Sequence, residues 1–234
     1  MLVGGSAAPQ AMIAAFQKRH GIRIVHGWGM TEMSPVGSLC RLNPEMETLH
    51  EEERFRILAT QGPPLPFVDM RIVSDQGPAP WDGTTMGALH VRGPWIARAY
   101  FNSPPDPQKF TADGWLISGD LARRDADGFF YIAGRRKEMF ISGGENVYPA
   151  EVENVLSAHP DVVDVAVLAE ADPKWGEVGR AFVQLTPDGG HPAPAELQAF
   201  CRARLAPYKV PRRFDFVAEF PRTSAGKIQK HLLL

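Results

Sequence analysis

Gly27-Trp28-Gly29-Met30-Thr31-Glu32 sets a tryptophan between two glycines and follows it with a hydroxyl and a carboxylate. Glycines leave the loop free to present the flat indole face to another ring. Three later stretches answer it: Ser118-Gly119-Asp120, Gly134-Arg135-Arg136-Lys137 and Pro221-Arg222-Thr223-Ser224-Ala225-Gly226-Lys227. Alone, each is weak. Trp28 would read as a core aromatic, Asp120 as a turn residue, and Arg135 and Lys137 as surface cations. Together they supply an aromatic face, a hydroxyl and carboxylate suited to phosphate and metal, and a late lysine. They also supply a second carboxylate able to accept both hydroxyls of a ribose diol. That inventory fits activation of a substrate by a nucleotide.

The bulk numbers narrow the class. A chain of 234 residues, 44% hydrophobic and 22% charged, has the make-up of an ordinary globular protein with one large or two modest domains. A net charge of -2 argues against a nucleic-acid partner. Cys40 and Cys201 lie far apart without metal-ligand spacing and read as reduced thiols of a cytoplasmic protein. No apolar run approaches the ~18 residues of a membrane span. The first residues lack the basic and apolar regions of a signal peptide, so Met1 reads as the point where a longer chain was cut or re-initiated. Nothing here fixes the oligomeric state, and a homodimer is compatible with it.

Periodicity predicts a helix over Ala11 to Lys18 and a strand over Ile22 to His26, the tail of an α/β sheet covering residues 1–65. Acidic Glu45 to Glu53 reads as a solvated helix or loop. Over residues 66–135, strands at Met70 to Val73, Ala88 to Arg92 and Gly128 to Ile132 alternate with turn signals, which predicts a small distorted β-barrel. A boundary near Gly134 to Lys137 then opens a small α+β domain over 136–234. Its helices are expected at Pro149 to Ala158 and Pro194 to Leu205, and its strands at Asp161 to Leu168 and Ala181 to Leu185.

These four motifs, in this order, resemble those of the acyl-adenylate-forming (AMP-binding) superfamily, and in particular of the fatty-acyl-CoA ligases. The likeness covers nearly the whole chain. It implies the end of a large adenylate-forming domain followed by a small mobile C-terminal domain. The Ser/Thr/Gly-rich phosphate loop that such enzymes carry upstream is not in the sequence. The resemblance therefore implies the C-terminal part of a longer ligase, inactive by itself.

Roles follow from the resemblance position by position. Gly4, Gly5 and Ser6 form a turn whose backbone meets the adenine, and Gly27, Trp28 and Gly29 present the stacking aromatic, with Trp in place of the commoner Tyr. Thr31 serves the phosphates and Glu32 is a Mg²⁺ ligand. Asp120 and Arg135 hold the ribose of ATP. Ser118 stands where threonine is usual, and no role is assigned to it. Lys137 is the hinge about which the small domain swings between half-reactions. Gly143 and Gly144, within Ser142 to Glu153, let the pantetheine arm of CoA pass close to the backbone. Lys227 bridges the substrate carboxylate and the α-phosphate. Residues 201–234 hold eight Lys or Arg against Asp215 and Glu219, a solvated face or a guide for the CoA phosphates. Met33-Ser34-Pro35 and Arg92-Gly93-Pro94-Trp95 resemble ligases for medium- and long-chain aliphatic acids. An aryl-acid CoA ligase and a non-catalytic nucleotide- or CoA-binding module remain as alternatives, with a peptide-synthetase adenylation domain a more distant one.

Overall fold

A parallel pair of strands, β1 (Leu2–Val3) and β2 (Val25–Trp28), is joined by helix α1 (Gln10–His20). The computed structural model describes all residues except Ser6, Ala7, Pro105, Asp188, Ala225 and Leu234. Helix α1 buries Ile13, and Lys18, Arg19 and His20 face the negative end of its dipole. It stops at Gly21, whose φ of 64° lies in the left-handed region that caps helices. Strand β3 (Ser38–Leu39) pairs antiparallel with β2, completing a three-stranded sheet. The acidic segment is more than a solvated stretch. After a 3₁₀ turn it becomes α2 (Glu51–Leu58), with three glutamates at its N-terminal end and Phe55 and Leu58 buried. Those two side chains pack with Ile13, Ile24 and Phe129 into one core.

A second sheet carries β4 (Asp69–Ser74), β5 (Gly77–Pro78), β6 (Gly87–Arg92), β7 (Leu116–Arg124) and β8 (Phe130–Arg135). Its order is β5-β4-β6-β7-β8, all antiparallel. The expected barrel is not closed. Among the described residues β5 and β8 end the strand order, β8 pairing outward only through the Gly62–Phe130 bridge, so this is an open sheet over a core of Met33, Leu89, Val91, Leu116 and Phe130. Strand β7, the longest here, was hidden from pattern reading because its buried face holds Ser118 and Asp120 where apolar residues are expected. The last strand begins at Phe130, later than expected, because Gly128 (φ 87°) belongs to the preceding turn.

The chain divides into two compact units, Met1–Arg136 and Lys137–Leu234. The second unit opens with the hairpin β9 (Phe140–Ser142) and β10 (Glu145–Val147). Its two-residue loop, Gly143-Gly144, has φ of 60° and 88°, the doubly positive geometry that matches strand twist. Helix α3 (Pro149–Leu156) starts with proline in its first turn and buries Val152 and Leu156. Strands β11 (Val162–Asp172) and β12 (Gly176–Leu185) form a hairpin longer than their apolar stretches alone suggest. Helix α4 (Pro194–Arg202) follows, where Glu196 accepts the N–H of Ala193 at 2.7 Å. Strand β13 (Arg213–Phe216), too short to show a period, adds parallel to β12. The sheet reads β10-β9-β12-β11 with β13 beside β12, over a core including Val152, Leu156, Val183 and Leu197.

Leu156 is fully buried, so Leu156→Ala should cost about 2–5 kcal/mol of stability from lost burial and a residual cavity. Val163→Thr, on the exposed side of β11, should stay within about 0.5 kcal/mol of the parent. Urea unfolding decides this, and equal effects of the two changes would contradict the assigned core.

Candidate active site

Strands β7 and β8 place Asp120 directly opposite Arg135. Asp120 is only 5% exposed. Its Oδ2 accepts the indole N–H of Trp28 at 2.9 Å, and its Oδ1 lies 3.1 Å from Nε of Arg135. A carboxylate removed from water needs such partners, since an unpaired buried charge is strongly disfavoured. Arg135 also donates to the carbonyl of Ser118 at 3.1 Å. Ser118, given no role by the resemblance, fixes the strand here. Its hydroxyl donates to Leu89 O at 2.8 Å and accepts the Asp120 N–H at 3.1 Å. Tryptophan in place of tyrosine thus has a consequence that sequence alone did not reveal. Its N–H pins the ring edge to the carboxylate while Gly37 packs close against the six-membered ring.

Of the glycines around Trp28, Gly29 is sterically required and Gly27 is closely packed. A Cβ on Gly29 would lie 1.9 Å from the carbonyl of Pro35, and one on Gly27 would lie 2.8 Å from Leu39 Cδ2. A Cβ on Gly4 would reach 3.0 Å from the carbonyl of Gly27, so the β1–β2 pairing brings Gly4 beside the Trp28 loop. Gly5, at φ 87°, makes the turn that follows. Ser6, the third residue expected there, lies outside the described residues.

Thr31 and Glu32 sit on a single 3₁₀ turn, Thr31–Met33, anchored by fully buried Met33. Thr31 is exposed. Glu32 Oε1 accepts the phenol of Tyr100 at 2.6 Å, and its backbone carbonyl accepts the N–H of Ala97 at 2.8 Å. The Tyr100 hydrogen bond, with Lys109 and Arg135 adding attraction, holds the Glu32 carboxyl below its ordinary range, although partial burial opposes this. The same bond raises the Tyr100 phenol. Sequence reasoning missed Tyr100, because Arg98-Ala99-Tyr100-Phe101 has neither period nor motif. Among the described residues no group of three or more His, Cys, Asp or Glu side chains converges. Glu32 is thus a single carboxylate with one oxygen engaged by Tyr100. That suits Mg²⁺, which keeps most of its own waters and phosphate ligands, better than it suits a cage-bound ion.

The second unit holds the other expected residues. Lys137 is its first residue, exposed in the middle of a 3₁₀ turn, Arg136–Glu138, rather than in an extended linker. Gly143 donates its N–H to Trp175 O at 2.9 Å, and a Cβ there would meet the Trp175 ring at 2.9 Å. Open space surrounds the corresponding position of Gly144. Trp175, also missed from sequence, has the Lys174 and Arg212 cations 4.8 Å and 5.3 Å from its ring. Lys227 is exposed on a tight turn, where Thr223 N–H meets Lys227 O at 2.8 Å and Lys227 N–H meets the Thr223 hydroxyl at 3.2 Å. Gly226, at φ 82°, makes that turn sterically accessible. Among the described residues no carboxylate pairs with the Lys227 ammonium.

Comparison with known proteins follows the same division. The AMP-binding enzyme model matches residues 1–101, and the AMP-binding enzyme C-terminal domain model matches residues 151–227. A long-chain-fatty-acid–CoA ligase of Thermus thermophilus is 39% identical over 236 residues, covering 100% of this chain and 43% of the relative. A 2-succinylbenzoate–CoA ligase of Geobacillus kaustophilus is 40% identical, covering 100% of this chain and 45% of that protein. The crystal structure of an anthranilate CoA ligase in complex with anthranoyl-AMP superposes with a TM-score of 0.85 at 30% identity, covering 99% of this chain and 43% of that one. The chain therefore spans less than half the length of these relatives. No helix of the described residues is long and apolar enough to cross a membrane. With both domain models matched in order, this chain belongs to the AMP-binding enzymes, and the curated relatives named above are acid–CoA ligases.

Proposed function

We propose that these residues belong to a longer, AMP-forming acid–CoA ligase that turns a carboxylic acid, ATP and CoA into acyl-CoA, AMP and pyrophosphate. The observation that carries this most is the buried Asp120 carboxylate, clamped between Trp28 and Arg135 in the unit that also holds Glu32. A fixed acceptor beside an aromatic ring suits a ribose and its base. A medium- or long-chain fatty acid is the substrate we favour, on Met33-Ser34-Pro35 and the similarity to a fatty-acid ligase. The comparable similarity to a succinylbenzoate ligase supports an aryl acid as the second reading. Buried, unpaired Cys40 and Cys201 fit a reducing, cytoplasmic setting. Turnover belongs to the longer enzyme, and we expect none from the 234 residues by themselves.

In the first half-reaction a carboxylate oxygen of the acid attacks the α-phosphorus of ATP, and the bond to the pyrophosphate oxygen breaks. Trp28, Asp120 and Arg135 position the nucleoside, Thr31 meets a phosphate oxygen, and Lys227 offsets charge at the α-phosphate and the attacking carboxylate. Glu32 would hold Mg²⁺, which when bound neutralises phosphate charge. In the second half-reaction the CoA sulfur, losing its proton, attacks the acyl carbon and AMP leaves. Rotation about Lys137 withdraws Lys227 and exchanges one arrangement for the other. The exposed Gly143-Gly144 turn lets the pantetheine arm lie close to the backbone, and Lys174 and Arg212 suit the CoA phosphates.

In the full-length enzyme, Lys227→Ala should slow adenylate formation by roughly 10²–10³, the usual effect of losing one electrostatic stabiliser. Thioester formation from supplied acyl-adenylate and CoA should persist. Lys137→Pro should do the reverse, because proline fixes φ at the pivot. Single-turnover kinetics of each half-reaction check both variants, and slowing of the same step by both would defeat domain alternation.

Glu32 must be ionised to hold a cation, and the Tyr100 phenol keeps it ionised to lower pH. Because its folded pKa is depressed, this bond also stabilises the fold above the ordinary carboxylate pKa, and the effect is lost as pH falls through the folded value. Tyr100→Phe should therefore raise the Glu32 pKa and shift the acid limb of magnesium-dependent adenylation to higher pH. Carboxyl NMR titration beside the pH–rate profile tests this, and an unmoved acid limb would remove Glu32 from the metal site.

A further inference from the structure

One largely buried cation in the C-terminal tail has no part in the chemistry above. Lys230 Nζ lies 2.8 Å from Glu153 Oε1 on α3 and 3.1 Å from Glu138 Oε2. Glu153 Oε1 also accepts the N–H of Val167 in β11 at 2.7 Å, so the bridge reaches a helix and a central hairpin at once. Burial raises the Glu153 carboxyl, against the pull of Lys230. For Lys230, burial acts to lower its pKa, but the two carboxylates outweigh it and the ammonium is held charged.

The placement of these three residues is what matters. Lys230 is three positions beyond Lys227, and Glu138 directly follows Lys137. Between Pro221 and Gln229 the chain folds back on itself through an Arg222–Ile228 bridge and the Gln229 N–H to Pro221 O bond of 2.8 Å. That turn has few other holds on its unit. Ile228 and Leu233 pack on Phe182 and Phe220, and Arg222 pairs with Asp164 near the surface, where ion pairs contribute little. The half-buried bridge fastens the chain immediately after this segment, and one of its ends is the residue beside the pivot.

We propose that Lys230 is a positioning residue for Lys227: by joining Glu153 to Glu138 it fixes the 221–229 turn rigidly to its unit, so that rotation about Lys137 reaches the Lys227 ammonium without slack. This deepens the ligase reading and rests on it for its kinetic consequence. A rigid attachment matters for adenylation alone, since only that step uses Lys227.

The test uses the full-length enzyme with Lys230→Met, Lys230→Arg and the double change Lys230→Met with Glu153→Gln. The double variant removes the lone buried charge that the single methionine change leaves behind, while glutamine can still accept the Val167 N–H, so it should fold even where Lys230→Met does not. Hydrogen exchange over 221–233 and single-turnover rates of both half-reactions are measured. We expect lost protection over that segment and adenylate formation slower by roughly 10- to 100-fold, the scale of a misplaced reacting group. Thioester formation from supplied acyl-adenylate should be unchanged, and arginine should restore adenylation. Unchanged protection, equal slowing of both half-reactions, or normal adenylation in the double variant would overturn the proposal. Protection is read without turnover, so a parent that forms no adenylate would defeat the ligase reading, while unchanged protection would defeat the tether alone.

Discussion

A carboxylate that is 5% exposed sets the terms for the first unit. Removed from water, Asp120 is tolerable only with partners, and it takes an indole N–H on one oxygen and a guanidinium on the other. Those partners come from the end of β2 and the end of β8, so one desolvated charge ties the three-stranded sheet to the five-stranded one. The same clamp orients the Trp28 ring and leaves a guanidinium, with 42% of its side chain exposed, beside it. An aromatic face, a cation and a carboxylate are thereby held at one place, an arrangement that suits the proposed nucleotide site. Ser118 completes the arrangement by holding the backbone on which Asp120 sits.

The second unit solves a different problem. Lys227, the lysine proposed to act, stays exposed on a turn made accessible by Gly226, while the attachment of that turn is half-buried. Among the described residues no carboxylate competes for the exposed Lys227 ammonium. On the proposal above, the Lys230 bridge to Glu138 and Glu153 holds the short turn to its unit. On the proposed reading, delivering one ammonium accurately benefits from that separation of roles.

Much of this is legible in the sequence. Helices α1, α3 and α4 carry clear apolar faces, and β4 and β6 alternate plainly, so their positions fall within a few residues of expectation. Strand β7 is not legible, because Ser118 and Asp120 occupy inward positions and break the apolar period. Strands β9, β10 and β13 were too short to show a period. Openness of the second sheet depends on which edges pair, which strand spacing does not encode. Among site residues, the motif positions could be named, yet Tyr100 and Trp175 could not. Each acts through one tertiary contact, with Glu32 and with Gly143, and no local pattern announces such a contact.

The central claim is that a carboxylic acid is activated here through its own adenylate. Isotope exchange between pyrophosphate and ATP, measured on the full-length enzyme across a panel of aliphatic and aromatic acids without CoA, tests that directly. The account predicts exchange that requires a carboxylic acid and ceases without one. Exchange indifferent to added acid, or none with any acid in the panel although ATP binds, would contradict it.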